Sequence, residues 1–268
     1  MTPVALTFDD AKLLQLMDGT IGRQVVGSTT LTIVPQNDMH TTDPIVLASG
    51  SPRRRELLTA LGVSFTVVVS DAEEEPHLPD DPLLASVTRD GLSLHDHPAI
   101  RAWRKGAAVA AAHPHAVVVA ADTIVVRDGV VLNKPLDADD ACAMLRSLAN
   151  RWHTVYTGVA LFAPQHQPQL TLQASDVHMT AMADVAIATY VASGEPMDKA
   201  GAYGIQGAAG RLVTQVRGSM TNVVGLPLTH VHAALCAHGI LPIRTPQQAY
   251  AWWRAQLPYD VLPEASEI

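Results

Sequence analysis

Ile45-Val46-Leu47-Ala48-Ser49-Gly50-Ser51-Pro52-Arg53-Arg54-Arg55-Glu56-Leu57-Leu58 reads as a strand, a tight turn and the start of a helix. Ile45, Val46 and Leu47 form the short apolar run of a buried strand. Ser51 is a preferred N-cap residue, and Pro52 follows at the first helical position, where a missing N–H costs nothing. Three arginines then crowd a helix end that already carries positive dipole charge. Such crowding is unfavourable unless an anion lies in front of it, and helix N-termini are natural anion sites. Taken alone, the stretch is either the cradle of a polyphosphate-like ligand or an exposed basic turn.

The rest of the composition makes that turn a local feature. The chain has 268 residues, enough for one large domain or two small ones, and its net charge is −8. An acidic chain with 4% aromatic residues is a poor candidate for binding nucleic acid or an anionic membrane surface. Cys142 and Cys236 are the only cysteines and have no metal or redox spacing, which points to a reducing cytoplasm. No apolar run approaches the roughly 18 residues of a membrane span. The first residues, with Asp9 and Asp10, do not read as a secretory leader.

Residues 1–43 read as an appended extension, with a short helix at 10–17, a strand at 30–34 and part of the segment in no fixed structure. A domain spanning 44–240 follows, then a C-terminal helix and tail over 241–268. After the opening strand and helix, Phe65–Val69 is a second strand. It runs into Asp71-Ala72-Glu73-Glu74-Glu75-Pro76, either a solvated acidic loop or a place where one carboxylate holds a divalent cation. Residues 77–100 read as an inserted loop, His95-Asp96-His97 included, and 99–112 as an alanine-rich helix. Val117–Val126 is the most strand-like segment, yet it carries Asp122-Thr123 at its middle. An aspartate buried among valines and alanines is costly unless it is paired or binds a metal. Asp128-Gly129 signals a hairpin, Asp137 caps a helix to Leu148, and 153–162 and 169–180 are strands. Four glycines between 201 and 210 suit close backbone approach to a ligand. Residues 218–222 read as a loop, and 226–238 and 245–257 as helices.

No phosphate-loop or dinucleotide fingerprint occurs. Six blocks in order, however, resemble the Maf-type nucleoside triphosphate pyrophosphatases, also called septum formation proteins. They are Leu47–Leu58, Ala121–Val126, Asn133-Lys134-Pro135 with Asp137, Tyr156-Thr157-Gly158-Val159, Asp198–Gly207 and Gly218–Leu228. The resemblance covers roughly 45–240. It implies an α/β fold of the inosine-triphosphate-pyrophosphatase kind: a long mixed sheet flanked by helices, with two lobes and a central cleft. It implies hydrolysis of a nucleoside triphosphate to the monophosphate and pyrophosphate with Mg²⁺ or Mn²⁺. By the same resemblance Ser49, Arg53 and Arg54 bind phosphate, Glu74 and Asp122 hold the metal, and Asp122 is the catalytic acid–base residue. Glu73 and Glu75 leave the register of Glu74 open. Lys105, Lys134, Asp198, Lys199 and Gln206 complete the substrate set, and a homodimer is a further expectation. Such a set has chemical sense, because hydrolysis at the α-phosphorus must neutralise charge spreading over the phosphoryl group and the leaving pyrophosphate.

Three positions separate the subfamilies that the resemblance suggests. Arg53, Thr123 and Gln206 match the group acting on dTTP and UTP, where the 7-methyl-GTP group has Trp, Gln and Glu. A glutamine amide both donates and accepts, so it can pair with O4 and N3–H of uracil or thymine. The alternatives at this stage are a pyrophosphatase for modified pyrimidine or 7-methyl-GTP-type nucleotides, and a weakly catalytic nucleotide-binding regulator of cell division.

Overall fold

The structure is a computed structural model that describes residues 44–72, 77–88 and 91–257. Its strands are β1 (Ile45–Ala48), β2 (Phe65–Val67), β3 (Val117–Arg127), β4 (Val130–Leu132), β5 (Trp152–Phe162), β6 (Gln169–Met179) and β7 (Val213–Arg217). They form a mixed seven-stranded sheet in the order β2-β1-β3-β5-β6-β7, with β4 on β3. β1 runs parallel to both β2 and β3, and every other pairing is antiparallel. The helices are α1 (Pro52–Ala60), α2 (Asp81–Val87), α3 (Pro98–Ala112), α4 (Ala138–Leu148), α5 (Asp184–Ala192), α6 (Met220–Val224), α7 (Leu228–Ala237) and α8 (Pro246–Arg254).

Side chains alternate across a strand, so each strand feeds two layers. Ile45 and Leu47 of β1 and Val117 and Val119 of β3 join the larger core, with Leu57 and Leu58 of α1, Leu145 of α4 and Trp253 of α8. Val46, Ala48, Val118 and Ala120 face the other way, onto Ala99, Ala102 and Val109 of α3. Covered on both faces, β1 and the first half of β3 are continuous apolar runs, as expected of parallel strands.

One irregularity of the sheet matters for function. Along the edge of β3 facing β1, β1 pairs with Val117 to Ala120 and β4 with Val125 to Arg127. On the opposite edge β5 pairs without interruption from Val118 to Val126. Residues 121–124 therefore sit at a gap that no described strand fills, just past the carboxyl end of β1. Such interruptions in open α/β sheets are where ligands bind.

Several segments differ from the sequence expectations. The 77–100 region contains α2, because Pro82 starts a helix rather than breaking one. His97 is fully buried at the head of α3 with its Nε2 3.1 Å from the carbonyl of Val87, so it is a packing residue and not part of a surface loop. The 218–222 loop is the beginning of α6, a single turn capped by the Ser219 hydroxyl, which accepts from the Asn222 N–H at 3.0 Å. Asp137 caps α4 as expected, accepting from Asp140 N–H at 2.8 Å. The helix expected at 10–17 and the strand expected at 30–34 lie outside the described residues.

Candidate functional site

A cavity of about 630 Å³ opens at the gap in the sheet. Its wall contains Ser49, Arg53 and Arg54 from the β1–α1 turn, Lys105 from α3, Asp122 and Thr123 from β3, Lys134, and Asp198 and Lys199. Five segments distant in sequence thus meet at one place. Glu74 lies outside the described residues. Gln206 does not line the cavity, although its neighbours Gly204 and Ile205 do. Its Nε2 donates to Glu56 at 3.1 Å, outside the cavity on α1.

The two consecutive residues at the middle of β3 face opposite layers and organise the two halves of the site. Asp122 points to the α3 side. Lys105 Nζ donates to Asp122 Oδ1 at 2.7 Å, and both residues are only 9% exposed. The pair resolves the cost of a carboxylate inside an apolar strand: the ion is matched by a cation from the helix packed on that face. Glycine at the cross-strand position makes this reach possible. Gly158 is the partner of Asp122 on β5, and a Cβ there would run into the backbone of Pro98 and Ala99. α3 therefore lies directly on the backbone of β5, close enough for Lys105 to reach β3.

Thr123 points to the α1 side. Its Oγ1 accepts from Arg54 Nη2 at 3.1 Å and lies 3.0 Å from Thr157 Oγ1, its cross-strand partner. Arg54 Nη1 donates to Ser49 Oγ at 3.1 Å and its Nε to the Gly225 carbonyl at 2.8 Å. The guanidinium is thus a fixed plate between the turn, β3 and the end of α6. Ser51 stands at the N-cap of α1, but its hydroxyl makes no capping hydrogen bond. Arg55 is exposed and outside the cavity wall.

The irregular segment after α5 closes the third side. Arg53 Nη1 meets Asp198 Oδ2 at 3.3 Å, and Lys199 Nζ meets Asp198 Oδ1 at 2.6 Å. Burial pushes the Asp198 carboxyl up, but Lys199 and Arg53 together outweigh it and hold it below the usual carboxylate range. Gly201 N–H donates to the Asn133 carbonyl at 3.1 Å, which ties this segment to the loop bearing Lys134. Behind it, Glu195 accepts from Tyr190 Oη at 2.9 Å and from Ala208 N–H at 3.3 Å. A Cβ at Gly207 would occupy the space of that carboxylate. Tyr203 lines the cavity and is pinned by His153, whose Nε2 is 2.8 Å from its hydroxyl. Burial lowers the His153 pKa to about 4 and raises that of Tyr203, so both stay neutral near neutral pH.

Arg101, Asn133 and Asp71 also line the cavity; the sequence singled none of them out individually, although Asp71 belongs to the acidic cluster and Asn133 to a family block. Arg101 had a visible signal: it stands one turn before Lys105 on the same helix face. Among the described residues no group of three His, Cys, Asp or Glu is arranged to hold a metal. Of the carboxylates on the wall, Asp198 is paired with Arg53 and Lys199, which leaves Asp71 and Asp122 as donors. Hard oxygen donors of this kind, few in number, suit Mg²⁺ or Mn²⁺ shared with substrate phosphates.

Comparison with known proteins gives the chain's family. The family described as "Maf-like protein" matches residues 44–238. A "dTTP/UTP pyrophosphatase" of Nitratidesulfovibrio vulgaris is 42% identical over 207 residues, covering 77% of this chain and 93% of that protein. One of the same description from Myxococcus xanthus is 45% identical over 201 residues, 75% of this chain and 95% of the relative. Among solved structures, the Staphylococcus aureus Ham1 protein is similar with a TM-score of 0.34 and 13% identity, over 51% of this chain and 72% of that one, too weak a likeness to build on. The family match spans most of the chain and includes every described residue that the cavity brings together: this protein belongs to the Maf-like family.

Proposed function

We propose that this protein is a nucleoside triphosphate pyrophosphatase that hydrolyses dTTP and UTP to the monophosphate and pyrophosphate. The observation that carries the reading is Asp122: a carboxylate buried in a strand, held by Lys105 at 2.7 Å, at a gap in the sheet ringed by cations. Among the described residues Lys105 takes Oδ1 and leaves Oδ2 to accept the proton of an attacking water. Arg53, Arg54, Lys134 and Lys199 on the facing walls supply positive charge where the phosphoryl group and pyrophosphate develop negative charge. The relatives named above support dTTP and UTP as substrates.

A divalent cation belongs to the same reading. Asp122 with Asp71, and Glu74 beyond the described residues, would hold Mg²⁺ or Mn²⁺. When bound, the ion neutralises phosphate oxygens and orients the triphosphate. We read the protein as cytoplasmic, acting on nucleotides and not on nucleic acid, and as a homodimer by family resemblance. The acidic net charge of −8 supports the second point. Among the described residues no helix is long and apolar enough to cross a membrane.

Base selectivity rests on Arg53, Thr123 and Gln206. All three have partners within the protein: Arg53 with Asp198, Thr123 with Arg54 and Thr157, and Gln206 with Glu56. For Gln206 to read a base, it must exchange Glu56 for the ligand. The test is pyrophosphate release from a panel of purine and pyrimidine triphosphates with Mg²⁺ or Mn²⁺. Preference for dTTP and UTP is expected, and a strong purine preference would refute the base assignment.

A further inference from the structure

Thr157 is fully buried and does not line the cavity. Its hydroxyl nevertheless connects the cavity to the interior. Thr157 Oγ1 donates to the Asn222 carbonyl at 2.9 Å and lies 3.0 Å from Thr123 Oγ1. The ends of this chain fix its direction. A carbonyl can only accept, so the single proton of Thr157 goes to Asn222. The proton between the two threonines must then come from Thr123. With its own proton given away, Thr123 Oγ1 presents only lone pairs to Arg54, whose guanidinium can only donate, at 3.1 Å. The run Arg54 → Thr123 → Thr157 → Asn222 therefore has one polarity, and each bond polarises the next. Its far end is anchored too. Asn222 Nδ2 donates to the Val155 carbonyl at 3.1 Å and to Ser175 Oγ at 2.9 Å.

We propose that Thr157 is a positioning residue for nucleotide binding: its hydroxyl sets the proton direction and place of Thr123, and through Thr123 the plane of the Arg54 guanidinium on the cavity wall. This rests on the reading of the cavity as a triphosphate site. A threonine and a valine have nearly the same shape, so packing on the strand is kept in Thr157→Val while the chain is cut. Thr123 then loses its acceptor and the Asn222 carbonyl loses a donor. Thr157→Ser does the reverse, keeping the hydroxyl and dropping the methyl.

The test measures UTP turnover, and competitive inhibition by inorganic pyrophosphate, in both variants alongside thermal melting. Thr157→Val should raise the KM for UTP and the inhibition constant of pyrophosphate about tenfold, the worth of one hydrogen bond in a charged chain. Its kcat should change less than about threefold, because Asp122 and Lys105 stand on the other face of β3. Thr157→Ser should stay within about twofold of wild type in all constants. Unchanged constants in Thr157→Val, or an equal loss in Thr157→Ser, would overturn the proposal. Thr123→Val cuts the same chain one link on, so the double variant with Thr157→Val should bind pyrophosphate no worse than Thr123→Val alone. Additive losses would refute the chain even if Thr157→Val by itself folds poorly. A wild type that binds UTP without hydrolysing it removes the pyrophosphatase reading but leaves Thr157 to be judged on the dissociation constants. A wild type that binds neither UTP nor pyrophosphate overturns both.

Discussion

Replacing Gly158 by alanine tests how the fold makes the site. The φ of Gly158 is not in the left-handed region, so alanine meets no backbone strain, only atoms. Its Cβ would stand 2.5 Å from the carbonyl carbon of Pro98 and closer still to the backbone of Ala99. Carbon atoms rest at about 3.5–4.0 Å, so α3 and β5 must separate by about 1 Å or more. Backbone lies on both sides, and no side-chain rotation relieves the clash. Overpacking of this kind costs about 3 kcal/mol, the upper part of the usual range. For a domain of this size that corresponds to a fall in Tm of about 6–12 °C. The same retreat carries Lys105, six residues further along α3, away from Asp122. A Nζ–Oδ1 distance of 2.7 Å would open past about 3.5 Å, where a hydrogen bond no longer exists. Gly158→Ala should therefore lower both Tm and kcat, the latter by about tenfold or more, while pyrophosphate inhibition, which depends on the α1 face, changes little. Differential scanning calorimetry and a pyrophosphate-release assay read these directly. A Tm within about 2 °C of wild type, with kcat unchanged, would refute the claim that Gly158 sets the approach of α3.

Two further perturbations follow from the same geometry. The folded pKa of His153 is lowered to about 4 from an ordinary value of 6.5, so between these values the unfolded chain takes up a proton that the native state does not. Stability is then fully present above pH 6.5 and falls towards pH 4, by about 3 kcal/mol for this group. Urea midpoints from pH 7 to 4 should fall less steeply in His153→Asn than in wild type, and equal slopes would contradict the assignment. Gln206→Glu would place a second carboxylate against Glu56, now 3.1 Å from the Gln206 amide. Repulsion should displace the adjoining wall of Gly204 and Ile205 and lower kcat/KM for UTP about tenfold or more, the scale on which like charges in contact act at about 4 Å. An unchanged value would show that the wall does not depend on this contact.

The main framework is legible in the sequence, for identifiable reasons. β1, the turn and α1 announce themselves because the apolar run, Ser51 and Pro52 agree locally. β3 stands out because Asp122 is so anomalous in an apolar strand, and the same anomaly marks the site. What escaped depends on tertiary contacts. Arg101 shows only its spacing from Lys105 and Asn133 only its place beside Lys134, and it is the approach of α3 to the 133–134 loop that brings them to the cavity. Pro82 and Gly218-Ser219 look like loop formers, whereas they begin α2 and cap α6. Thr157 and Gly158 look like ordinary strand residues. Their importance comes from register, since they stand opposite Thr123 and Asp122. The side-chain direction of Gln206, toward Glu56 and away from the cavity, has no sequence signal at all.

The central claim is that Asp122 activates water for attack on a nucleoside triphosphate held by the basic walls around it. It is tested most directly by pyrophosphate release from UTP and dTTP in wild type and Asp122→Asn, with nucleotide binding followed by calorimetry. Wild type should release pyrophosphate and monophosphate in equal amounts. Asp122→Asn should lose about 10²–10⁴-fold in kcat while its dissociation constant for UTP stays within about tenfold. Turnover retained in Asp122→Asn, or release of orthophosphate in place of pyrophosphate, would contradict the account.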